Sequence, residues 1–256
     1  MSEKKRPVAL VTGATAGIGA AFARRLADEG HDLVLSARNG ERLREMAEEL
    51  PAETEVLVAD LATEEGVQAL EERCREGVDL LVNNAGFGHS EPFLTVSAER
   101  EAVMARLHME AVLRGTLAAL PGMVERGRGG VVNVASVAAF FPGSTYAASK
   151  AWVVSFSQAT AAEVAARGVS VTALCPGFTR TEFHQRAEMN MSKLPKSMWL
   201  NAEDVVAKGL SDMRRGKAVS VPGWRYKTLM AVGRRLPLSL SGRALASISR
   251  RRLRKK

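Results

Sequence analysis

Pro7–Gly30 reads PVALVTGATAGIGAAFARRLADEG: a short β-branched apolar run, a glycine-rich turn, then a segment in which Ile18, Phe22, Leu26 and Ala27 recur every three or four residues. Strand, turn and amphipathic helix in that order form the first unit of a sheet crossed over by helices. Gly13, Gly17 and Gly19, with Thr15 and Ile18 between and beside them, make up the turn. Glycines there let the backbone bend sharply and approach a pyrophosphate, and the helix N-terminus adds free N–H groups and partial positive charge. The spacing is not GxGxxG, and no GK[ST] follows, which excludes a P-loop. By itself such a turn is also compatible with a purely structural role.

Outward from this unit the same alternation continues. Further strand candidates are Asp32–Ala37, Thr54–Asp60, Val78–Asn84, Gly130–Ser136, Val169–Gly177 and Lys217–Gly223, after the first at Val8–Gly13. Between them lie helical patterns such as Leu43, Met46, Ala47 and Leu50. Near-continuous apolar strands separated by helices predict an α/β fold: a parallel sheet covered on both faces and, with right-handed crossovers, doubly wound. No internal repeat or low-complexity linker divides the chain, so a single catalytic domain is expected over residues 1–223, with a basic tail, partly ordered or amphipathic, over 224–256. The long interval Phe178–Asn201, rich in Met and Lys and containing Pro195, reads as a surface excursion with a short helix, or as a substrate lid at a strand's carboxyl end.

Composition narrows the class. The 256 residues are 46% hydrophobic and 25% charged, ordinary for one soluble domain. No run approaches the roughly 18 apolar residues of a membrane helix. MSEKKRP leads directly into the first strand, so no secretory signal is read there. Cys74 and Cys175 are too few and too distant for a metal or disulfide framework, and no metal site is expected. Cys175 reads as a small buried hydrophobe, and a reducing cytoplasm suits the set. Of the 36 Lys and Arg, eleven fall between Arg225 and Lys256, where no acid occurs, leaving 25 basic against 28 acidic residues in the body. The net charge of +8 is thus a property of the tail.

Chemistry gathers at the strand ends. Ser36-Ala37-Arg38 closes the second strand without the acid that would accept ribose hydroxyls, whereas a guanidinium suits a 2′-phosphate, so NADP is expected ahead of NAD. Asp60, with Leu61, closes the third strand toward an adenine, and Asn83-Asn84-Ala85-Gly86 closes the fourth. Tyr146 and Lys150 in STYAASKAW lie one helical turn apart on one face. An ammonium there, with a nicotinamide's positive charge, would favour the phenolate and make the pair an acid/base couple for a carbonyl or alcohol. Ser136, ending the fifth strand, could orient the carbonyl oxygen. YxxxK alone is a weak signal; its order after the turn and the serine gives it weight.

TGATAGIG, NNAG, the strand-end serine, YAASK and the PG of CPGFTRT together resemble the short-chain dehydrogenase/reductase family over about Pro7 to Gly223. The resemblance implies a single-domain Rossmann-type, seven-stranded parallel sheet, usually assembled as a homodimer or homotetramer, and hydride transfer between a nicotinamide and a carbonyl or alcohol carbon. It implies Tyr146 as general acid/base, and Lys150 as the residue that binds the nicotinamide ribose and lowers the tyrosine pKa. Ser136 would orient the substrate, and Pro176, Gly177, Thr179 and Thr181 would meet the nicotinamide end, beside Asn84, Ala85 and Gly86. Two departures stand out. His108 occupies the place where the family commonly has an Asn that holds a relay water; an imidazole could hold the same water and make activity pH-sensitive, or could simply fill a helix interface. The serine-to-tyrosine interval is also slightly short, which makes the loop AAFFPGST tight.

Phe140 and Phe141, with Met189, Met191, Leu194, Met198 and Trp199, point to an apolar wall and a hydrophobic carbonyl substrate, although many such residues belong to cores or interfaces. The alternating apolar and basic tail is compatible with weak contact to an anionic membrane surface and otherwise with a solvated segment, and it lacks any nucleic-acid reading motif. A cytoplasmic enzyme, peripheral to a membrane at most, is the expectation. The alternatives are a catalytically idle NADP-binding regulator or scaffold, and an anchor that works through the tail.

Overall fold

Successive strand residues face opposite sides of a sheet, and the apolar runs are continuous enough to need cover on both sides. The computed structural model describes residues 6–233 except 90, 92, 142 and 184–193, with side chains described as far as Met230. It has strands β1 (Val8–Thr12), β2 (Asp32–Ala37), β3 (Thr54–Val58), β4 (Leu80–Asn83), β5 (Gly129–Val134), β6 (Val169–Leu174) and β7 (Val219–Ser220). All seven are parallel, in the order β3-β2-β1-β4-β5-β6-β7. The order reverses between β1 and β4, which opens a crevice at the carboxyl ends of those strands.

Helices α1 (Gly17–Asp28), α2 (Gly40–Glu49), α3 (Glu64–Arg75), α4 (Ala98–Ala105), α5 (Ala111–Glu125), α6 (Thr145–Val164), α7 (Ala202–Arg214) and α8 (Trp224–Gly233) cover the sheet. Val11 and Leu35 pack with Phe22 of α1 and Val205 of α7 on one face, while Leu10 and Val131 pack with Leu70 of α3 and Met123 of α5 on the other. Asn39, Thr63, Ser97 and Ser144 cap α2, α3, α4 and α6 by accepting backbone N–H groups of the first turn. One π-helical turn, Arg106–Glu110, joins α4 to α5.

The strands match the sequence expectation in number and order along the chain, and all but β2 are shorter than expected. The last is only two residues of the expected Lys217–Gly223. Lys217 is held in a turn by its N–H bond to the Asp212 carbonyl, and Pro222 has no N–H to donate at the other end. The interval after β6 is an excursion whose two ends are laced together: Leu200 N–H donates to Phe178 O at 2.8 Å and Arg180 N–H to Leu200 O at 2.9 Å. Its short helix, Lys196–Met198, is 3₁₀.

The segment expected as a tail begins with α8, whose Tyr226 is 2% exposed in a cluster with Val153, Val154 and Cys175. The folded body therefore continues across the boundary drawn at Gly223. Leu236, Leu238, Leu240 and the terminal RRRLRKK lie outside the described residues. Among the described residues no helix is long and apolar enough to cross a membrane.

Candidate active site

The turn after β1 is built by exchange of backbone hydrogen bonds with its neighbours. Gly13 and Ala14 donate their N–H groups to Ser36 O at 2.7 and 3.2 Å. Gly13 and Gly17 have φ of 65° and 56°, a left-handed conformation that favours glycine. A Cβ at Gly19 would run into the Gly13 carbonyl, and one at Gly17 would meet Thr181 at 3.0 Å, so the segment after β6 borders the turn. Asn84 donates through Nδ2 to Thr12 O at 2.9 Å and Gly13 O at 3.2 Å. The Thr12 hydroxyl in turn accepts the Asn84 and Ala85 N–H groups at 2.9 and 3.0 Å. Asn84, expected among the cofactor-binding residues, thus spends its amide on buttressing the turn.

This cradle fits a dinucleotide pyrophosphate. Its glycines carry no side chain of their own, and among the described residues no side chain caps the N-terminus of α1. Asp60 accepts the Ala62 N–H at 3.0 Å, which shapes the β3–α3 loop around buried Leu61, and Arg106 donates to Ala62 O at 3.2 Å. Arg38 stands exposed beyond the end of β2.

At the end of β5, Ser136 accepts the Ala138 N–H at 3.1 Å, and its hydroxyl lies close enough to the Tyr146 phenol to favour the phenolate. Ser144 caps α6, which places Tyr146 and Lys150 in its first turns. Lys150 Nζ donates to Val134 O at 2.9 Å and lies 5.8 Å from the Tyr146 ring centroid. Burial pushes the phenol up to about 12, opposed by the Ser136 hydroxyl, and pushes the lysine down to about 8. In the protein alone desolvation dominates at the phenol, and the lysine's hydrogen bond is to a backbone carbonyl. The result is a tyrosine held protonated beside a lysine poised near neutrality. Cys175, buried close by, has its thiol pushed up to about 12 by burial.

His108 is fully buried in the π turn. Its Nε2 accepts the Phe87 N–H at 3.3 Å, which places the proton on Nδ1, 2.9 Å from Ser149 Oγ. The Ser149 hydroxyl donates to the Tyr146 backbone carbonyl at 2.8 Å. Desolvation, then the Lys150 charge, hold the imidazole well below its ordinary pKa. Both nitrogens hold protein groups, the Phe87 N–H and the Ser149 hydroxyl. The His108 ring meets Tyr146 edge-on at 5.6 Å between centroids.

Tyr226 and Phe183 had no signal in the sequence. The Tyr226 hydroxyl accepts the Phe178 N–H at 3.0 Å and donates to Met198 O at 2.6 Å. Gly177 is packed on the Tyr226 ring so closely that a Cβ there could not fit. Pro176 O accepts the Val137 N–H at 3.0 Å, and the Thr179 hydroxyl donates to Gly177 O at 3.0 Å. These bonds hold the post-β6 segment beside Ser136. Phe183 faces Tyr146 at 5.9 Å between ring centroids, an apolar neighbour the sequence reading did not single out. Of the expected apolar wall, Phe140 and Met198 pack against the core and Trp199 meets Phe178 at 6.3 Å, while Leu194 and Phe141 are part-buried. Met189 and Met191 lie outside the described residues.

The geometry has counterparts in known proteins. The family profile described as short chain dehydrogenase matches residues 7–192. A short-chain dehydrogenase from Sphingobium yanoikuyae, solved in complex with NADPH, superposes with a TM-score of 0.80 at 34% identity, covering 88% of this chain and 93% of that one. The bulky-bulky ketone specific alcohol dehydrogenase from Comamonas testosteroni gives 0.77 at 30% identity, covering 90% and 92%. An NADP-dependent 3-hydroxy acid dehydrogenase of Salmonella typhi is 38% identical over 187 residues, 69% of this chain and 74% of that relative.

Proposed function

The chain belongs to the short-chain dehydrogenase/reductase family, and from that premise we propose that it is an NADP-preferring enzyme acting on the carbonyl or alcohol carbon of a hydrophobic compound. The observation that carries the reading is the convergence of Ser136, Tyr146 and Lys150 at the end of β5, next to the glycine cradle, with the lysine Nζ 5.8 Å from the phenol ring and anchored on Val134 O. A binding scaffold needs no such acid/base pair. The dinucleotide, when bound, supplies or accepts the hydride. Backbone N–H groups from Thr15 to Gly19 would hold its pyrophosphate, Arg38 its 2′-phosphate, and Asp60 and Leu61 its adenosine. Ala85, Gly86, Lys150, Pro176, Gly177, Thr179 and Thr181 would surround the nicotinamide end.

Ser136 holds the substrate oxygen, and Tyr146, kept protonated by burial, delivers its proton there in the reductive direction. Lys150, a cation below about pH 8, stabilises the phenolate left behind. The absence of an acid at Ser36-Ala37-Arg38 supports NADP, and NADPH and NADP-dependent action appear in the descriptions of two of the similar proteins. The Phe183 and Trp199 rings and the bulky-ketone neighbour support an apolar substrate. Self-association into a dimer or tetramer is part of the same reading.

A panel of aliphatic, aryl and 3-oxoacyl carbonyl compounds, followed by nucleotide absorbance with NADPH and with NADH, tests it. Turnover with NADPH exceeding that with NADH is expected, and Tyr146→Phe should fall at least ~10³-fold while binding NADPH unchanged. Undiminished turnover in that variant would refute the acid/base assignment.

A further inference from the structure

The β4–α4 loop, α4 and the first turn of α6 meet at a buried cluster that the acid/base chemistry does not use. His89 and Glu101 have side chains 5% and 17% exposed, with Nε2 and Oε1 3.3 Å apart. The same Glu101 oxygen accepts the Thr145 hydroxyl at 2.9 Å. Among the described residues neither His89 nitrogen has a hydrogen-bond partner of good geometry, although both are buried. An unpaired buried imidazole is costly, and here the group within reach is the carboxylate already bound to Thr145. Thr145 immediately precedes Tyr146, and Gly88, beside His89, lies so near the Tyr146 ring that a Cβ there would approach it at 3.4 Å. The cluster therefore touches the two chain segments that flank the phenol.

We infer that Glu101 is a positioning residue for Tyr146: it clamps His89 of the β4–α4 loop to Thr145 of α6 and so fixes the phenol against Ser136. This rests on the acid/base role proposed for Tyr146. What the clamp needs is an acceptor at Oε1. Glu101→Gln keeps one and Glu101→Leu does not, while Thr145→Val removes the helix-side donor without changing shape.

The chain has two tyrosines, Tyr146 and Tyr226, so protein labelled with ¹³Cζ-tyrosine gives two resonances that Tyr146→Phe assigns. Glu101→Leu should shift the Tyr146 resonance, leave Tyr226 and NADPH affinity unchanged, and lower kcat by ~10–100-fold on the best carbonyl of the panel, with less effect on KM. Thr145→Val should move the same resonance less, and Glu101→Gln should restore kcat to within about threefold of the parent. The clamp is overturned by a Tyr146 resonance unmoved in both Glu101→Leu and Thr145→Val, or by parental kcat in both. Should Glu101→Leu fail to fold, Thr145→Val decides. The resonance is read without substrate, so a parent inactive on the whole panel would end the functional reading while leaving this test in force.

Discussion

Burial acts in opposite directions on the two ionisable groups of α6, raising the Tyr146 phenol to about 12 and lowering Lys150 to about 8. For the lysine this carries a stability consequence whose sign is definite. Below about pH 8 both folded and unfolded chains hold the proton, and the folded state bears the full cost of a desolvated cation. Between 8 and the ordinary 10.5 the folded lysine has lost its proton while the unfolded one keeps it, so the unfolded state binds more protons and stability rises with pH. Lys150→Met should therefore stabilise the protein at pH 7, by ~1–3 kcal/mol after the lost bond to Val134 O is counted. Chemical denaturation at pH 7 and pH 10 should show that gain shrinking at the higher value. A variant less stable than the parent at pH 7 would show that the charge is welcomed rather than tolerated. The sequence names Tyr146, Lys150 and Ser136 because their roles depend on residue type and spacing. It is silent on the His108 bonds to Phe87 and Ser149, since these depend on which way a buried ring faces.

Among elements, the turn between β1 and α1 depends on Asn84, 72 residues from Thr12 and 71 from Gly13. The Asn84 amide supplies two donors to the Thr12 and Gly13 carbonyls, and the Thr12 hydroxyl returns the exchange. Asn84→Asp would replace those donors with a carboxylate facing two carbonyl oxygens. A loss of ~1–3 kcal/mol in unfolding free energy is expected, with NADPH affinity weakened about tenfold or more because the cradle opens. Calorimetric titration with NADPH and a thermal melt on the same sample check both, and parental values in each would assign Asn84 a passive place. The strands were legible because runs buried on both faces are continuous in hydrophobicity, and β2 coincides with its expected span, Asp32–Ala37. The brevity of β7 was not, because it follows from Asp212 holding Lys217 across a turn. The π turn at Arg106–Glu110 was equally hidden: ARLHMEAVLRG carries ordinary helix formers, and a change from α to π hydrogen bonding leaves composition untouched.

For the whole molecule, the informative feature is how α8 returns to the site. Hydropathy and charge place a boundary near Gly223, because basic residues dominate from Arg225 onward and no acid balances them. The described part of that segment packs on the body: Tyr226 and Met230 are buried in the cluster under α6 and β6, with Trp224 left 70% exposed. Three-residue spacing cannot announce this, since the partners of Tyr226 are the Phe178 N–H and Met198 O, 48 and 28 residues away. One phenol thus ties together the start and end of the excursion after β6, on the strand end where ligands bind in such sheets. Tyr226→Phe keeps the ring against Gly177 and removes both bonds. It should cost ~1–3 kcal/mol of stability and raise KM for the carbonyl substrate more than it weakens NADPH binding, because the bond lost at Met198 frees the end beside Trp199, while Thr181 keeps its place against the glycine turn. Steady-state kinetics with each substrate varied in turn, alongside denaturation, separates the two effects. An equal loss toward both ligands would mean that α8 supports the domain generally, whereas a selective rise for the carbonyl would make this helix the anchor of the substrate-side segment.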